Sequence, residues 1–196
     1  AKGIGLDNRI GGKILNAAPG YGGSCFPKDT LALVRTATDF GAPVQLIETT
    51  VRVNDQRKKA MADKVVQAMG GDVKGKRIGV LGLTFKPNTD DMRDAPSLDI
   101  IPTLQALGAT ITAYDPEGER EARHLLKDVD FAAEPYAVAK DAEAVVIITE
   151  WDQFRALDLD RLKAAMKTPV LVDLRNIYRP DDVRRQGFDY VSIGRA

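Results

Sequence analysis

The residues best suited to chemistry gather around the one cysteine. In Pro19-Gly20-Tyr21-Gly22-Gly23-Ser24-Cys25-Phe26-Pro27-Lys28-Asp29-Thr30 the thiol follows a glycine pair and precedes a proline suited to the first position of a helix. A cysteine just ahead of a helix meets unpaired backbone N–H groups and the positive end of the helix dipole. Both favour the thiolate, the nucleophilic form, and Lys28 adds positive charge one turn away. Asp29, four residues after the cysteine, is placed to hold a water or exchange a proton, and the glycines leave room for a substrate carbon at sulfur. The competing reading is a buried, inert cysteine.

The elements that must position these residues follow from the pattern on either side. Seven of the 17 glycines fall within the first 25 residues, a stretch with little means of packing a core but with a backbone free to approach a ligand. A helix is predicted from Pro27 to Phe40 and a longer one from Pro43 to Met69, closed by Gly70-Gly71. At 1.5 Å per residue the second is ~40 Å long, enough to bridge domains or subunits. Its Arg57-Lys58-Lys59 run reads as a solvated face. Beyond Gly75, short β-branched runs alternate with helical segments. Strands are predicted at 77–83, 110–114, 145–149, 170–174 and 190–193, with a weaker one at 129–131; helices are predicted at 96–107, 117–126, 135–139, 158–166 and 181–186. Apolar strands separated by helices imply an α/β fold, a doubly wound parallel sheet of Rossmann-like type, with ligands at the strand carboxyl ends.

Composition removes other classes. Twenty-eight basic residues balance 28 acidic ones, so no net field favours nucleic acid or an anionic membrane surface. The longest aliphatic run, Ala144 to Ile148, is far short of the ~20 residues that span a bilayer. A single cysteine excludes an intrachain disulfide and fits a reducing, cytoplasmic compartment. His124 has no second metal-type residue at fixed spacing and receives no role, and no metal is expected. Trp151 reads as a packing anchor.

A second motif occupies Gly79 to Ser97, Gly-Val-Leu-Gly-Leu-Thr-Phe-Lys-Pro-Asn-Thr-Asp-Asp-Met-Arg-Asp-Ala-Pro-Ser. Gly79-x-x-Gly82 is not the G-x-G-x-x-G dinucleotide fingerprint and is open to two readings, a bare tight turn or a ligand loop. Lys86 and Arg93 favour a phosphate ligand, unless Asp90, Asp91 and Asp94 neutralise them.

Together with Tyr114-Asp115-Pro116, Thr149-Glu150-Trp151 and Asp173-Leu174-Arg175-Asn176, the two motifs closely resemble the UDP-glucose/GDP-mannose dehydrogenases, in the same order and over essentially the whole chain. The resemblance implies a catalytic-cysteine loop and central dimerisation helices over residues 1–73 and a UDP-sugar-binding domain over 74–196. It implies two NAD-dependent oxidations of a sugar C6 alcohol, with UDP-glucose as the expected substrate, through a thiohemiacetal and a thioester on Cys25. Asp29 then assists attack by water. Ile14, Leu15, Asn16, Ala17, Ala18 and Gly22 would line the nucleotide-sugar site, and Arg9 would reach the substrate of a neighbouring subunit. Lys28 and Arg93 would face NAD, while Phe85, Lys86 and Arg175 would hold the UDP or sugar end. Ala18 stands where glycine is common in the family, and Ile14 where an aromatic is common.

The chain opens on Ala1-Lys2-Gly3, which suggests a fragment or a processed product. The family's amino-terminal NAD-binding domain has no counterpart here, so the chain is expected to form a homodimer or higher oligomer but to lack turnover alone. Three rival readings stay open: a nucleotide-sugar binding and dimerisation module without turnover, a redox-sensing thiol protein, and a sister dehydrogenase acting on UDP-N-acetylmannosamine or GDP-mannose.

Overall fold

A computed structural model describes residues 1–12 and 15–195. After a short 3-10 turn at Ile4–Leu6 and the glycine-rich segment, α1 runs Phe26–Asp39 and α2 runs Gln45–Ala68. The remainder alternates strand and helix: β1 (Arg77–Leu81), α3 (Ser97–Ala106), β2 (Thr110–Tyr114), α4 (Glu119–Leu125), β3 (Val129–Phe131), a 3-10 turn at Pro135–Ala139, β4 (Ala144–Ile147), α5 (Asp152–Arg155), α6 (Leu159–Ala165), β5 (Val170–Asp173), α7 (Pro180–Arg185) and β6 (Asp189–Ser192). All six strands are parallel, in the order β3-β2-β1-β4-β5-β6. This is the doubly wound arrangement that the alternation predicts, and its topological switch point lies between β1 and β4.

The sheet is buried on both faces, and the period of two along each strand divides the core. Ile78 and Val80 of β1, Ala144 and Val146 of β4, and Val170 and Val172 of β5 face one cluster with Ile100, Ile101 and Leu104 of α3. Leu81, Val145, Ile147 and Leu171 face the other, with Phe154, Leu162 and Val183. Met61, Ala62 and Val65, from the second half of α2, together with Met69 just beyond it, belong to the first cluster. The first half of α2 and most of α1 stand clear: Leu46 and Phe40 are each 84% exposed. A 24-residue helix is about 36 Å long, so α2 is anchored at one end and projects at the other.

Where β1 stops is set by side-chain chemistry. The apolar run continues to Leu83, but the strand ends at Leu81 because Gly82 turns at φ +88° and Asp115 captures the next N–H groups, Leu83 at 2.6 Å and Thr84 at 3.1 Å. A side chain at Gly82 would collide with Thr149 of the neighbouring crossing, and one at Gly79 would lie 2.5 Å from the Val138 carbonyl. Both glycines therefore serve close backbone packing. The single-turn helix α5 carries no periodic signal and is absent from the sequence-based assignment.

Candidate functional site

Cys25 sits at the N-cap position of α1, with Pro27 in the first turn, and is exposed to solvent. The thiol is therefore not the buried one of the competing reading. Its Sγ lies 3.6 Å from the Ser24 hydroxyl, and Arg93, across the loop, is close enough to interact with it electrostatically. Lys28 and Asp29 pair with each other at 3.1 Å on the exposed first turn. Tyr21 and Phe26, on either side of Cys25 in sequence, meet edge to face with centroids 4.6 Å apart.

The glycines before Cys25 are explained by what crosses them. A Cβ at Gly22 would lie 2.3 Å from the Asp94 carbonyl, and one at Gly23, which takes φ +86°, would lie 2.7 Å from the Phe85 ring. The Gly23 N–H donates to the Arg93 carbonyl at 2.8 Å. The cysteine loop is thus pressed against the segment that follows β1, and the two motifs, some 60 residues apart in sequence, form one wall. Arg93 is held by Asp91 at 2.8 Å, and this pairing keeps the Asp91 carboxyl below its ordinary range and raises the guanidinium. Lys86 is exposed, with Nζ 5.2 Å above the Phe85 ring, and forms no salt bridge among the described residues. Of the three nearby acids, Asp91 hydrogen-bonds Arg93 directly, and Asp90 acts on it through its charge.

Phe85 and Lys86 follow β1 and Arg175 follows β5, all on the carboxyl edge of the sheet. Arg175 forms an ion pair with Glu150, which follows β4, and both side chains are largely buried. Arg175 Nε and Glu150 Oε2 have no hydrogen-bond partner there, so the pair keeps polar capacity at the switch-point crevice. Behind it Asp173, fully buried, accepts from the Arg175 and Tyr178 N–H groups and from the Tyr190 hydroxyl at 2.7 Å. Burial, reinforced by the Asp173 charge, pushes the Tyr190 and Tyr178 phenols up.

Asn16, Ala17 and Ala18 line an open cleft of about 510 Å³ with Gly20, Tyr21 and the Thr49, Thr50 and Val53 positions of α2. Leu15 is 36% exposed beside it. Ile14 lies outside the described residues. Arg9 is exposed and pairs with Asp7 at 2.6 Å.

The Arg57-Lys58-Lys59 reading needs correction. Lys59 is exposed, but Lys58 is 5% exposed and Arg57 is half-buried. Arg57 donates twice to the Ala18 carbonyl, at 2.8 and 3.0 Å, and Lys58 donates to the Asp94 carbonyl at 3.2 Å and lies 3.6 Å from Asp99. Asn54, one turn earlier, pairs its amide with both backbone groups of Tyr21. The available signal was the spacing 54, 57, 58, one helical stripe opposite a loop that lacks side chains.

Residues 1–56 match the central domain of the UDP-glucose/GDP-mannose dehydrogenase family and residues 79–180 match its UDP-binding domain. The chain belongs to that family. It is 65% identical, over 195 residues, to the UDP-glucose 6-dehydrogenase of Rhizobium meliloti and 46% identical to UDP-glucose 6-dehydrogenase TuaD of Bacillus subtilis; each match covers the whole chain, and 45% and 42% of the relative. Among solved structures, a UDP-glucose dehydrogenase from Pyrobaculum islandicum superposes with a TM-score of 0.81 at 34% identity, covering all of this chain and 43% of that one. The chain thus spans a little under half the length of the relatives it matches.

The family's dinucleotide cofactor can be tested against the sheet itself. In dinucleotide folds the acid at the end of β2 holds ribose hydroxyls. Here that residue, Asp115, is 3% exposed and already accepts from the N–H groups of Leu83, Thr84, Glu117 and Gly118 and from the Trp151 indole. This sheet is not built for a dinucleotide in that manner. The cations of Lys28 and Arg93, by contrast, are exposed beside the cysteine loop.

Proposed function

We propose that this chain supplies the nucleophile and the nucleotide-sugar-binding half of an NAD-dependent oxidation of UDP-glucose to UDP-glucuronate. In this division residues 1–73 carry the cysteine loop and the helices that pair two copies, and residues 74–196 hold the UDP-sugar. The observation that carries the reading is the contact between the two motifs: Gly22 and Gly23 pack on Asp94 and Phe85, bringing an exposed thiol at a helix start beside the carboxyl edge of an α/β sheet.

On this reading Cys25 Sγ adds to the C6 aldehyde left by the first oxidation, forming a thiohemiacetal. Oxidation of that adduct gives a thioester, and water adds to its carbonyl, expelling the thiolate. Asp29 orients or deprotonates this water, and Lys28 keeps the Asp29 carboxylate paired until then. Lys28 and Arg93, on the exposed side of the loop, would hold NAD, which would supply the hydride acceptor for both oxidations. Asn16, Ala17, Ala18 and Gly22, with Leu15 and Ile14, border the sugar. Lys86 and Arg175 supply the charge that holds a diphosphate, Phe85 supplies a ring face, and Arg9, at the open end, is available to a second copy. The compartment that fits is the cytoplasm, whose reducing conditions keep a thiol such as Cys25 free.

Calorimetric titration with UDP-glucose, UDP-N-acetylmannosamine and GDP-mannose tests the assignment. UDP-glucose is expected to bind in preference to the other two, with Lys86→Ala and Arg175→Ala each weakening it by about tenfold, as for loss of one charged hydrogen bond. Binding that neither substitution alters would remove the diphosphate site from this edge.

A further inference from the structure

The glycine-rich loop has almost nothing with which to hold itself. Between residues 15 and 24 only Pro19 and Gly23 are buried, and four backbone groups, the Ala18 carbonyl, the Tyr21 N–H and carbonyl and the Gly23 N–H, carry hydrogen bonds to the rest of the chain. What holds it is one stripe of α2. Asn54 pairs with both the N–H and the carbonyl of Tyr21, at 2.8 and 3.2 Å, in the manner of a neighbouring strand. Arg57 grips the Ala18 carbonyl with a two-pronged contact. Lys58 reaches past the loop to the Asp94 carbonyl, the same group that packs on Gly22. Gly20 has to be glycine because a Cβ there would come within 2.9 Å of both Asn54 and Lys58.

Lys58 is the informative member. A buried ammonium is costly unless it is paired, and an apolar side chain of similar length would fill the space without that cost. Its head group is spent on Asp94, a residue in left-handed conformation (φ 51°), and on Asp99 in the first turn of α3. It thereby fixes α2, the cysteine loop and the segment after β1 relative to one another. We infer that Asn54, Arg57 and Lys58 are positioning residues for Cys25: acting through the backbone of residues 18–23 and the Asp94 carbonyl, they set where the thiol stands relative to Phe85 and Arg93. The inference rests on the reading of Cys25 as the nucleophile and adds to it the helix stripe that holds the nucleophile in register.

The test uses the chain's one cysteine. The rate of Cys25 alkylation by iodoacetamide is followed from pH 6 to 10 in the wild-type chain, in variants and in a free peptide spanning Tyr21 to Thr30. The wild-type rate profile is expected to differ from that of the peptide. Lys58→Met and Asn54→Ala are expected to move it toward the peptide, by about threefold or more at pH 7, with Lys58→Met melting no lower than wild type. Val65→Ala, on the buried face of the same helix, is expected to lower the melting temperature and leave the alkylation profile unchanged. If Lys58→Met or Asn54→Ala does not fold, Arg57→Lys, which keeps the charge but loses the forked contact, carries the same expectation. Variant profiles that match wild type, a wild-type profile that matches the peptide, or rates that track only melting temperature across all variants would each overturn the proposal. Titration of the wild-type chain with UDP is run alongside; failure to bind would count against the functional reading without altering the alkylation comparison.

Discussion

Arg93 and Asp91 show how charge is apportioned around the thiol. The guanidinium donates to Asp91 through two nitrogens, at 2.9 and 2.8 Å, and the Asp91 carboxyl is held below its ordinary value mainly by that contact. A carboxylate whose folded-state pKa is depressed contributes stability above the unfolded value, near 3.9, and loses it as pH falls through the folded value. The pair is therefore intact throughout the neutral range and opens only in acid. Because Arg93 is 69% exposed on its side chain, the contribution to folding is small and screened. Its consequence is positional: Asp91 orients an exposed guanidinium that is close enough to Cys25 to interact with it electrostatically. Carboxyl-detected NMR titration is expected to place the Asp91 midpoint below 3.9 in wild type and to raise it in Arg93→Gln; an unchanged midpoint would show that Arg93 does not hold this carboxylate.

At the scale of elements, α2 does two jobs with its two ends. Met61, Ala62 and Val65 pack into the core beneath the sheet, whereas Leu46 and Val53 are exposed. Met61→Ala is expected to cost about 2–5 kcal/mol in urea unfolding, the range for emptying a buried site, and Val53→Ala less than about 1 kcal/mol. Equal costs would mean that the projecting half is packed as well. The same helix marks how far the sequence could be read. Strands and helices were legible because their apolar periods of two and 3.6 are local, and their alternation pointed to a doubly wound parallel sheet. Cys25 at a helix start was legible from Pro27. The grip of Asn54, Arg57 and Lys58 was not, because a charge run on a helix reads as solvated unless the loop covering it is known. That loop is remote in sequence, and its backbone groups, not its side chains, make the contacts. The end of β1 was missed for a related reason, since Asp115, 32 residues from Leu83, takes the N–H groups that would have continued the strand.

On the scale of the whole molecule the exposed apolar residues are unevenly placed. Phe26, Leu31, Leu33 and Phe40 lie on or beside α1, and Leu46 and Val53 on the projecting half of α2, all between 48% and 84% exposed. Single exposed apolar residues are ordinary, but a concentration on two adjoining helices is the kind of surface that partners cover. Formal net charge is zero, so copies of the chain do not repel one another through a net field. A second copy packing its own α1 and α2 on this surface would bury both sets through a self-complementary two-fold contact, which is the commonest way such a face is satisfied. It would also leave the sheet's carboxyl edge and the cysteine loop in each copy tied to the shared helices by Asn54, Arg57 and Lys58. Light scattering at micromolar concentration is expected to give twice the 21.3 kDa chain mass, and Phe40→Asp combined with Leu46→Asp to return the chain to monomer without loss of helical signal. A wild-type monomer under those conditions would assign the surface to a different partner, and the portion of the relatives that this chain does not span would be the first to test.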